Sequence, residues 1–399
     1  MKKILFVINT LGQAGAETAL VELLKRLDEK EYDISLYVLM GQGEMIHALP
    51  DYVHVLNKKF CDKSVLSKEG QGNMKKTVMK AMLRRATWLM DFSYLVKHFF
   101  GMVVKKQLKM DKLLWRVLSD GADRFETKYD LAVAYLEGGA TYYVADHVNA
   151  LKKAAFVHVD YGQAGYSRSL DKNCYLKYDS VYTVSEEVKK AFLTYYPECT
   201  EQTGIFHNLL NKDLILEKSG EFKAYEDTFE GFRIATVGRL TTQKAFEVSI
   251  EAMALLKEKG EKVKWYVYGE GDQRKKLEDL IKSKNLTEDF ILCGAVPNPY
   301  PYMKAADIYV HCSRFEGKSI AIQEAQILGK AILVSDCSGN REQVIPGVDG
   351  LMCDLLPQDI CDNIVKLIHD EEMRSRLGAA AAKKNEAEES PLMELLSEI

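Results

Sequence analysis

Arg233-Ile-Ala-Thr-Val-Gly-Arg-Leu-Thr-Thr-Gln-Lys-Ala-Phe-Glu-Val-Ser-Ile250 decides how this chain is read. Arg233–Val237 is a short β-branched run, and Ala245–Glu258 continues at helical spacing, so the stretch is strand, tight loop, helix. The alternation runs on downstream. Val263–Tyr268 reads as a strand and Gln273–Lys284 as a helix, and strands at Ile291–Cys293, Ile308–His311 and Ala331–Ser335 follow with helices between them. Upstream the pattern is the same. Strands are expected at Ile4–Ile8, Ile34–Leu39, Val53–Leu56, Leu131–Tyr135, Lys153–Val157, Ser180–Thr183 and Gly204–Phe206, with an amphipathic helix over Ala16–Leu27. Ser185-Glu-Glu-Val188 opens a further helix with acids at its positive end.

Short apolar strands alternating with helices build parallel sheets from βαβ units. Because the pattern restarts after the polar segment Asn211–Gly231, two sheets are expected. The fold class is therefore α/β: two facing Rossmann-like, doubly wound parallel-sheet domains with a cleft between them. The first covers 1–215, with a basic amphipathic insertion at about 60–125. The second covers 216–380, and a helical tail over 381–399 is expected to pack back toward the first. Ligands of open α/β sheets lie off the carboxyl ends of the strands, so the chemistry is sought there.

Composition narrows the function. The 399 residues are 47% hydrophobic and 28% charged with a net charge of −4, which suits a globular protein and leaves no nucleic-acid footprint. The eight cysteines form no C-x-x-C pair and no Cys/His cluster at zinc spacing, so buried, reduced thiols and no metal site are expected. The N-terminus has only five consecutive apolar residues, too few for a signal-peptide core, and no 18-residue apolar run could span a membrane. A cytoplasmic location is expected.

Three segments carry chemistry. Thr10-Leu-Gly-Gln-Ala-Gly15 leads from the first strand into a helix, where Gly12 and Gly15 permit a tight turn beside free N–H groups that suit an anion. It could equally be the first turn of any doubly wound domain, and it is not a G-x-G-x-x-G fingerprint. In the second segment Gly238 permits a tight turn while Arg239 and Lys244 set two cations at a helix N-terminus, an arrangement able to neutralise a diphosphate. Solvated surface cations are the ordinary alternative. In the third, Glu316 and Glu324 stand eight residues apart, one before the helix Ser319–Leu328 and one just over a turn inside it, and could hold successive hydroxyls of one extended ligand. Acids favoured by the helix dipole would look similar.

Together, G-x-x-x-G, G-R-L-x-x-x-K, Gly269-Glu-Gly-Asp272 and the E-x₇-E element resemble the GT-B glycosyltransferases, and among them the retaining family 4 enzymes (glycosyl transferases group 1). The resemblance spans nearly the whole chain and is weakest over about 60–125 and the last twenty residues. It implies a nucleotide-sugar donor, with UDP favoured, and a saccharide or lipid-linked saccharide acceptor in capsule, cell-wall or other surface polysaccharide synthesis. It also implies roles. Arg239 and Lys244 would hold the diphosphate, Glu324 the ribose and Glu316 the transferred sugar. The N–H groups around Ser319 and Ile320, beside Gly317, would support sugar and phosphate. Gly12 would let the acceptor-side loop approach the diphosphate. His158 matches a histidine that contacts the donor sugar, and Asp160 and Glu137 line the acceptor side.

The sequence departs from the family at Ala245, where glycine is usual, and at Lys318, where an apolar residue or proline is usual. It has no Asp-x-Asp, so no metal cofactor is expected, the two cations doing that electrostatic work. The resemblance implies transfer with retention at the anomeric carbon. A GT-B enzyme that modifies nucleotide sugars, such as an epimerase, and a non-catalytic nucleotide-sugar-binding protein are the alternatives.

Residues 63–116 hold thirteen Lys and Arg against three acids, a local charge of +10 that leaves −14 to the remainder. Aromatic and aliphatic residues from Trp88 to Trp115 are interleaved with these cations. Two readings stand: helices lying on an anionic membrane surface at the inner face of the cytoplasmic membrane, or an insertion whose apolar face packs on the first domain.

Overall fold

The computed structural model describes residues 1–65, 67–84, 87–104 and 110–384, together with Leu392, Leu395 and Leu396. The chain divides into two compact units at Leu209/Leu210. The tail expected over 381–399 lies largely outside the described residues, its first four residues ending the helix Glu371–Lys384.

The first unit holds seven strands: β1 Lys2–Ile8, β2 Tyr32–Val38, β3 His54–Val55, β4 Tyr129–Ala134, β5 Ala150–Val157, β6 Ser180–Thr183 and β7 Thr203–Ile205. They pair in the order β3-β2-β1-β4-β5-β6-β7, all parallel. The chain winds outward from β1 in one direction and from β4 in the other, so the topological switch point lies between β1 and β4. Helix Gly15–Leu24 stops short of the expected Leu27, and helix Glu186–Tyr195 starts where Ser185 caps it, its hydroxyl accepting from Val188 N–H at 3.2 Å.

The second unit holds β8 Phe232–Val237, β9 Val263–Tyr268, β10 Phe290–Gly294, β11 Ile308–His311, β12 Ala331–Ser335 and β13 Leu351–Cys353. Their order is β10-β9-β8-β11-β12-β13, again parallel throughout, with the switch point between β8 and β11. Strand β13 has no counterpart in the sequence reading. Its three residues follow a glycine-bearing turn and pair only with β12 at the sheet edge, too short a run for periodicity to register.

The period of two sorts side chains onto opposite faces of this sheet. Ile234, Trp265, Val267, Ile308, Val310 and Leu333 pack with helices Phe246–Glu258, Arg274–Ser283 and Pro357–His369. Their neighbours Ala235, Tyr266, Tyr268, Tyr309, Ile332 and Val334 pack on the other side with residues of Tyr300–Ala305, Ile320–Ile327 and Glu371–Lys384. Both faces being covered, the strands are almost uniformly apolar, as parallel strands must be.

Candidate functional site

In the second unit the loops after β8 and β11 meet at the switch point. The loop after β8 runs through Gly238 and Arg239 into a short 3₁₀ turn, Thr242–Lys244, and then into helix Phe246–Glu258. Ala245 joins turn to helix with φ of 48°, in the left-handed region where a Cβ is strained. That conformation is the physical reason glycine suits this position. The loop after β11 is stitched to the same turn. Arg314 N–H donates to the Gln243 carbonyl (2.8 Å), its guanidinium to the Thr242 carbonyl (2.6 Å) and to Glu247, and Gln243 Nε2 to the Phe315 carbonyl (2.9 Å).

Those links bring Lys244 and Glu316, 72 residues apart, to 2.6 Å. Both are largely buried. His311, the last residue of β11, completes the cluster, its Nε2 lying 2.9 Å from Lys244 Nζ, 3.2 Å from Glu316 Oε1 and 3.2 Å from Ser319 Oγ. Burial alone would push the Glu316 carboxyl up, but the Lys244 charge and the His311 contact outweigh it and hold it well below the usual range. Burial, then the Lys244 ammonium, push His311 down, so the ring is neutral. Its Nε2 lies between the Lys244 ammonium and the Glu316 carboxylate, and its Nδ1 faces the Tyr309 hydroxyl at 3.3 Å. The sequence reading missed His311, because at the end of the run Ile308-Tyr-Val-His311 it looks like one more strand residue.

Arg239 differs. It is exposed, and no hydrogen bond or ion pair engages its guanidinium among the described residues. Glu324 lies one turn inside helix Ile320–Ile327, buried, with Tyr300 donating its hydroxyl to Oε1 at 2.8 Å. Burial pushes this carboxyl up to about 7, against the pull of Tyr300. Ser319 N–H donates to Gln343 Oε1 (2.7 Å) while Gln343 Nε2 donates back to the Ser319 carbonyl (2.8 Å), so this N–H is already committed within the protein.

Turn geometry does not explain the glycines named in the sequence. Neither Gly12, Gly15 nor Gly238 has a positive φ, and a Cβ on Gly12 or Gly238 would meet only a side chain at 3.6 Å or beyond. The glycines that packing demands stand opposite them. A Cβ on Gly269 would lie 1.9 Å from the Gly238 carbonyl oxygen, and one on Gly43 would lie 2.0 Å from the Leu11 carbonyl carbon. Gly269-Glu-Gly-Asp272 is thus a backbone buttress, and the Leu240 N–H donates to the Glu270 carbonyl at 2.9 Å.

The first unit gathers its candidates at its own switch point. Asn9, at the end of β1, donates through Nδ2 to the Glu137 carbonyl (3.0 Å) and accepts from Ala140 N–H at Oδ1 (2.8 Å), tying the loops after β1 and β4 together. Glu137 is buried and accepts from His158 N–H at 3.1 Å. Burial pushes His158 down to about 4, so the ring is neutral, and its buried Nε2 has no hydrogen-bond partner among the described residues. An unpartnered buried nitrogen is an acceptor site awaiting a donor. Asp160 instead closes a local turn, accepting from Gln163 N–H (3.0 Å) and Nε2 (2.8 Å).

The chain is similar to known proteins. Residues 221–384, which include Arg239, Lys244, Glu316 and Glu324, match the family model of glycosyl transferases group 1. An uncharacterized glycosyltransferase of Methanocaldococcus jannaschii is 27% identical over 232 residues, half of this chain and 57% of that protein. The N-acetylgalactosamine-N,N'-diacetylbacillosaminyl-diphospho-undecaprenol 4-alpha-N-acetylgalactosaminyltransferase of Campylobacter jejuni is 31% identical over 172 residues, 43% of this chain and 45% of the enzyme. The chain thus spans about half the length of each of these relatives. The crystal structure of HepE from Anabaena with UDP and glucose superposes over 100% of this chain and 99% of its own with a TM-score of 0.71 at 17% identity, which shows a shared fold. Residues 221–384 thus match the model of glycosyl transferases group 1, and the chain shares with the HepE structure its fold of two Rossmann-like parallel-sheet units.

Proposed function

We propose that the chain is a retaining glycosyltransferase of family 4 that moves a sugar from a nucleotide-sugar donor, a UDP-sugar in first place, to a saccharide acceptor carried on a lipid, in the synthesis of a bacterial surface polysaccharide. The observation that carries the proposal is the Arg239–Lys244–His311–Glu316 constellation at the β8/β11 switch point of the matched domain. Arg239, with no partner among the described residues, is placed to take a phosphate bidentately, and Lys244 adds a second charge. UDP bound to HepE supports the donor base, and the diphospho-undecaprenol in the name of the Campylobacter relative supports the acceptor class.

In the proposed reaction the bond from the anomeric carbon to the diphosphate oxygen breaks first, and the electron pair leaves with the diphosphate. Arg239 and Lys244 stabilise that developing charge, a contribution on the order of 3 kcal/mol for one well-placed donor. The acceptor oxygen then bonds to the same face of the anomeric carbon and passes its proton to the departing phosphate. Glu316, held ionised, orients hydroxyls of the sugar, and Glu324 those of the ribose. No metal has a part in this scheme.

The test is titration calorimetry of the purified chain with UDP-, GDP- and ADP-sugars in EDTA, followed by the anomeric configuration of the product by NMR. Selective binding of a UDP-sugar, weakened about tenfold or more in Glu324→Gln, is expected, with the donor configuration kept in the product. Equal binding by Glu324→Gln and Arg239→Ala, or an inverted product, would overturn the corresponding part.

A further inference from the structure

Among the described residues, the insertion in the first unit leaves an apolar helix face uncovered. Helix Phe92–Val104 turns Tyr94 inward, where it packs with Leu113 and Leu170 and donates its hydroxyl to the Leu170 carbonyl at 3.0 Å. Leu95 and Met102 lean on the same cluster. Phe92, Val96, Phe99, Phe100 and Val103 point the other way, at helical spacings of four, seven, eight and eleven from Phe92, which makes one continuous stripe. Phe92 is 59% exposed, Phe100 62% and Val104, at the stripe's edge, 80%. So large an apolar surface left in water implies a partner.

Charge identifies the partner. The helix carries no acid, Lys97 borders the stripe, and Asp91 just before it is buried against Lys172 at 3.5 Å. The sequence continues Lys105-Lys-Gln-Leu-Lys109. The first helix of the insertion, Lys68–Leu83, exposes Lys76, Met79, Lys80 and Leu83, again cations beside apolar residues at one helical spacing. A second copy of the chain would bring like charges against this rim, whereas anionic lipid headgroups complement it. Thirteen residues of helix are about 20 Å long, too short to cross a bilayer core, and no helix among the described residues is long and apolar enough to do so. The helix therefore lies along a surface.

We propose that the outward face of Phe92–Val104, with its flanking lysines, lies in the headgroup region of an anionic lipid bilayer. The apolar stripe enters the acyl boundary while the lysines hold the charged surface. The proposal depends on this face alone and stands or falls separately from the donor site.

Co-sedimentation of the full chain with vesicles tests it, using phosphatidylcholine alone and phosphatidylcholine with phosphatidylglycerol. Binding to the anionic vesicles is expected, with little to the neutral ones and a marked loss on raising salt. The double variant Phe92→Ser/Phe100→Ser should bind anionic vesicles at least about tenfold more weakly, and Lys97→Gln about fivefold more weakly. All three positions are exposed, so the variants should keep the wild-type circular dichroism and melting temperature. Absence of wild-type binding to anionic vesicles, or unchanged binding by the double variant, overturns the proposal. A dimer in sedimentation velocity that the double variant abolishes, with no vesicle binding, would replace the membrane with a second copy.

Discussion

Replacing Lys244 by Met should reverse the pH dependence that the β8/β11 cluster gives to stability. In the wild type the Lys244 ammonium, 2.6 Å away, keeps Glu316 ionised, and burial together with that ammonium, 2.9 Å away, keeps His311 neutral. The Glu316 contribution is present above its unfolded value of about 4.5 and is lost only well below it, while His311, lowered from 6.5 in the fold, makes the wild type lose stability as pH falls toward 6. Without Lys244 a buried carboxylate is left beside a neutral imidazole, at a cost of about 3–5 kcal/mol at pH 8. One proton relieves it, whether Glu316 or His311 takes it, so the folded variant binds that proton more tightly than the unfolded chain does. A folded-state affinity raised in this way makes stability rise as pH falls, with a limiting slope of about 1.4 kcal/mol per pH unit. From pH 8 to 6 the variant should recover about 1–3 kcal/mol that the wild type has no means of gaining at this site. Urea unfolding of both proteins at the two pH values measures the difference through the shift of midpoint at constant slope. If the two proteins change in parallel, Lys244 does not compensate Glu316 and the electrostatic account of the cluster is wrong.

Other substitutions separate stability from function. Glu324→Gln should stabilise the fold at pH 8 by about 3 kcal/mol, because burial raises this carboxyl from 4.5 to about 7 and stability is lost as pH rises through that value. Melting curves at pH 5 and pH 8 check it, the gain shrinking to about 0.8 kcal/mol at the lower pH, while donor affinity falls. Arg239→Ala removes an exposed side chain and should change stability by less than about 0.5 kcal/mol while lowering turnover about 10²-fold or more, measured with the UDP-sugar that binds. Gly269→Ala forces a methyl into the Gly238 carbonyl and should cost about 1–3 kcal/mol together with donor binding, since the backbone that must yield leads directly into Arg239. Urea unfolding and calorimetry on that variant give both numbers.

The two sheets were legible because strands covered on both faces need largely apolar runs, and Ala331–Ser335 is one, as are Phe232–Val237 and Val263–Tyr268 apart from Arg233, Thr236 and Lys264. Helix starts were legible where a side chain caps them, as Ser185 does. Strand β13 was not, because three edge residues carry no period. Arg239, Lys244, Glu316 and Glu324 could be singled out from residue type and spacing, because charge next to a strand-to-helix loop is a local property, but their roles came only from the resemblance to a known family.

What the tertiary structure alone decided is which of those groups are already occupied and by whom. His311 becomes part of the site only when β11 lies beside β8 and presents it to Lys244, 67 residues away in the chain. Ser319 loses its N–H to Gln343, and Asp160 its carboxylate to Gln163. Glycine is required at Gly269 and Gly43 because another backbone passes within bonding distance of where a Cβ would sit, a fact absent from any local pattern. The basic insertion divides in the same way, its composition announcing an amphipathic surface while packing around Tyr94 determined which face stayed in water. Sequence determines what each segment is able to do; contacts between distant segments determine burial, and burial sets the charge states and the free hydrogen-bonding groups on which the chemistry depends.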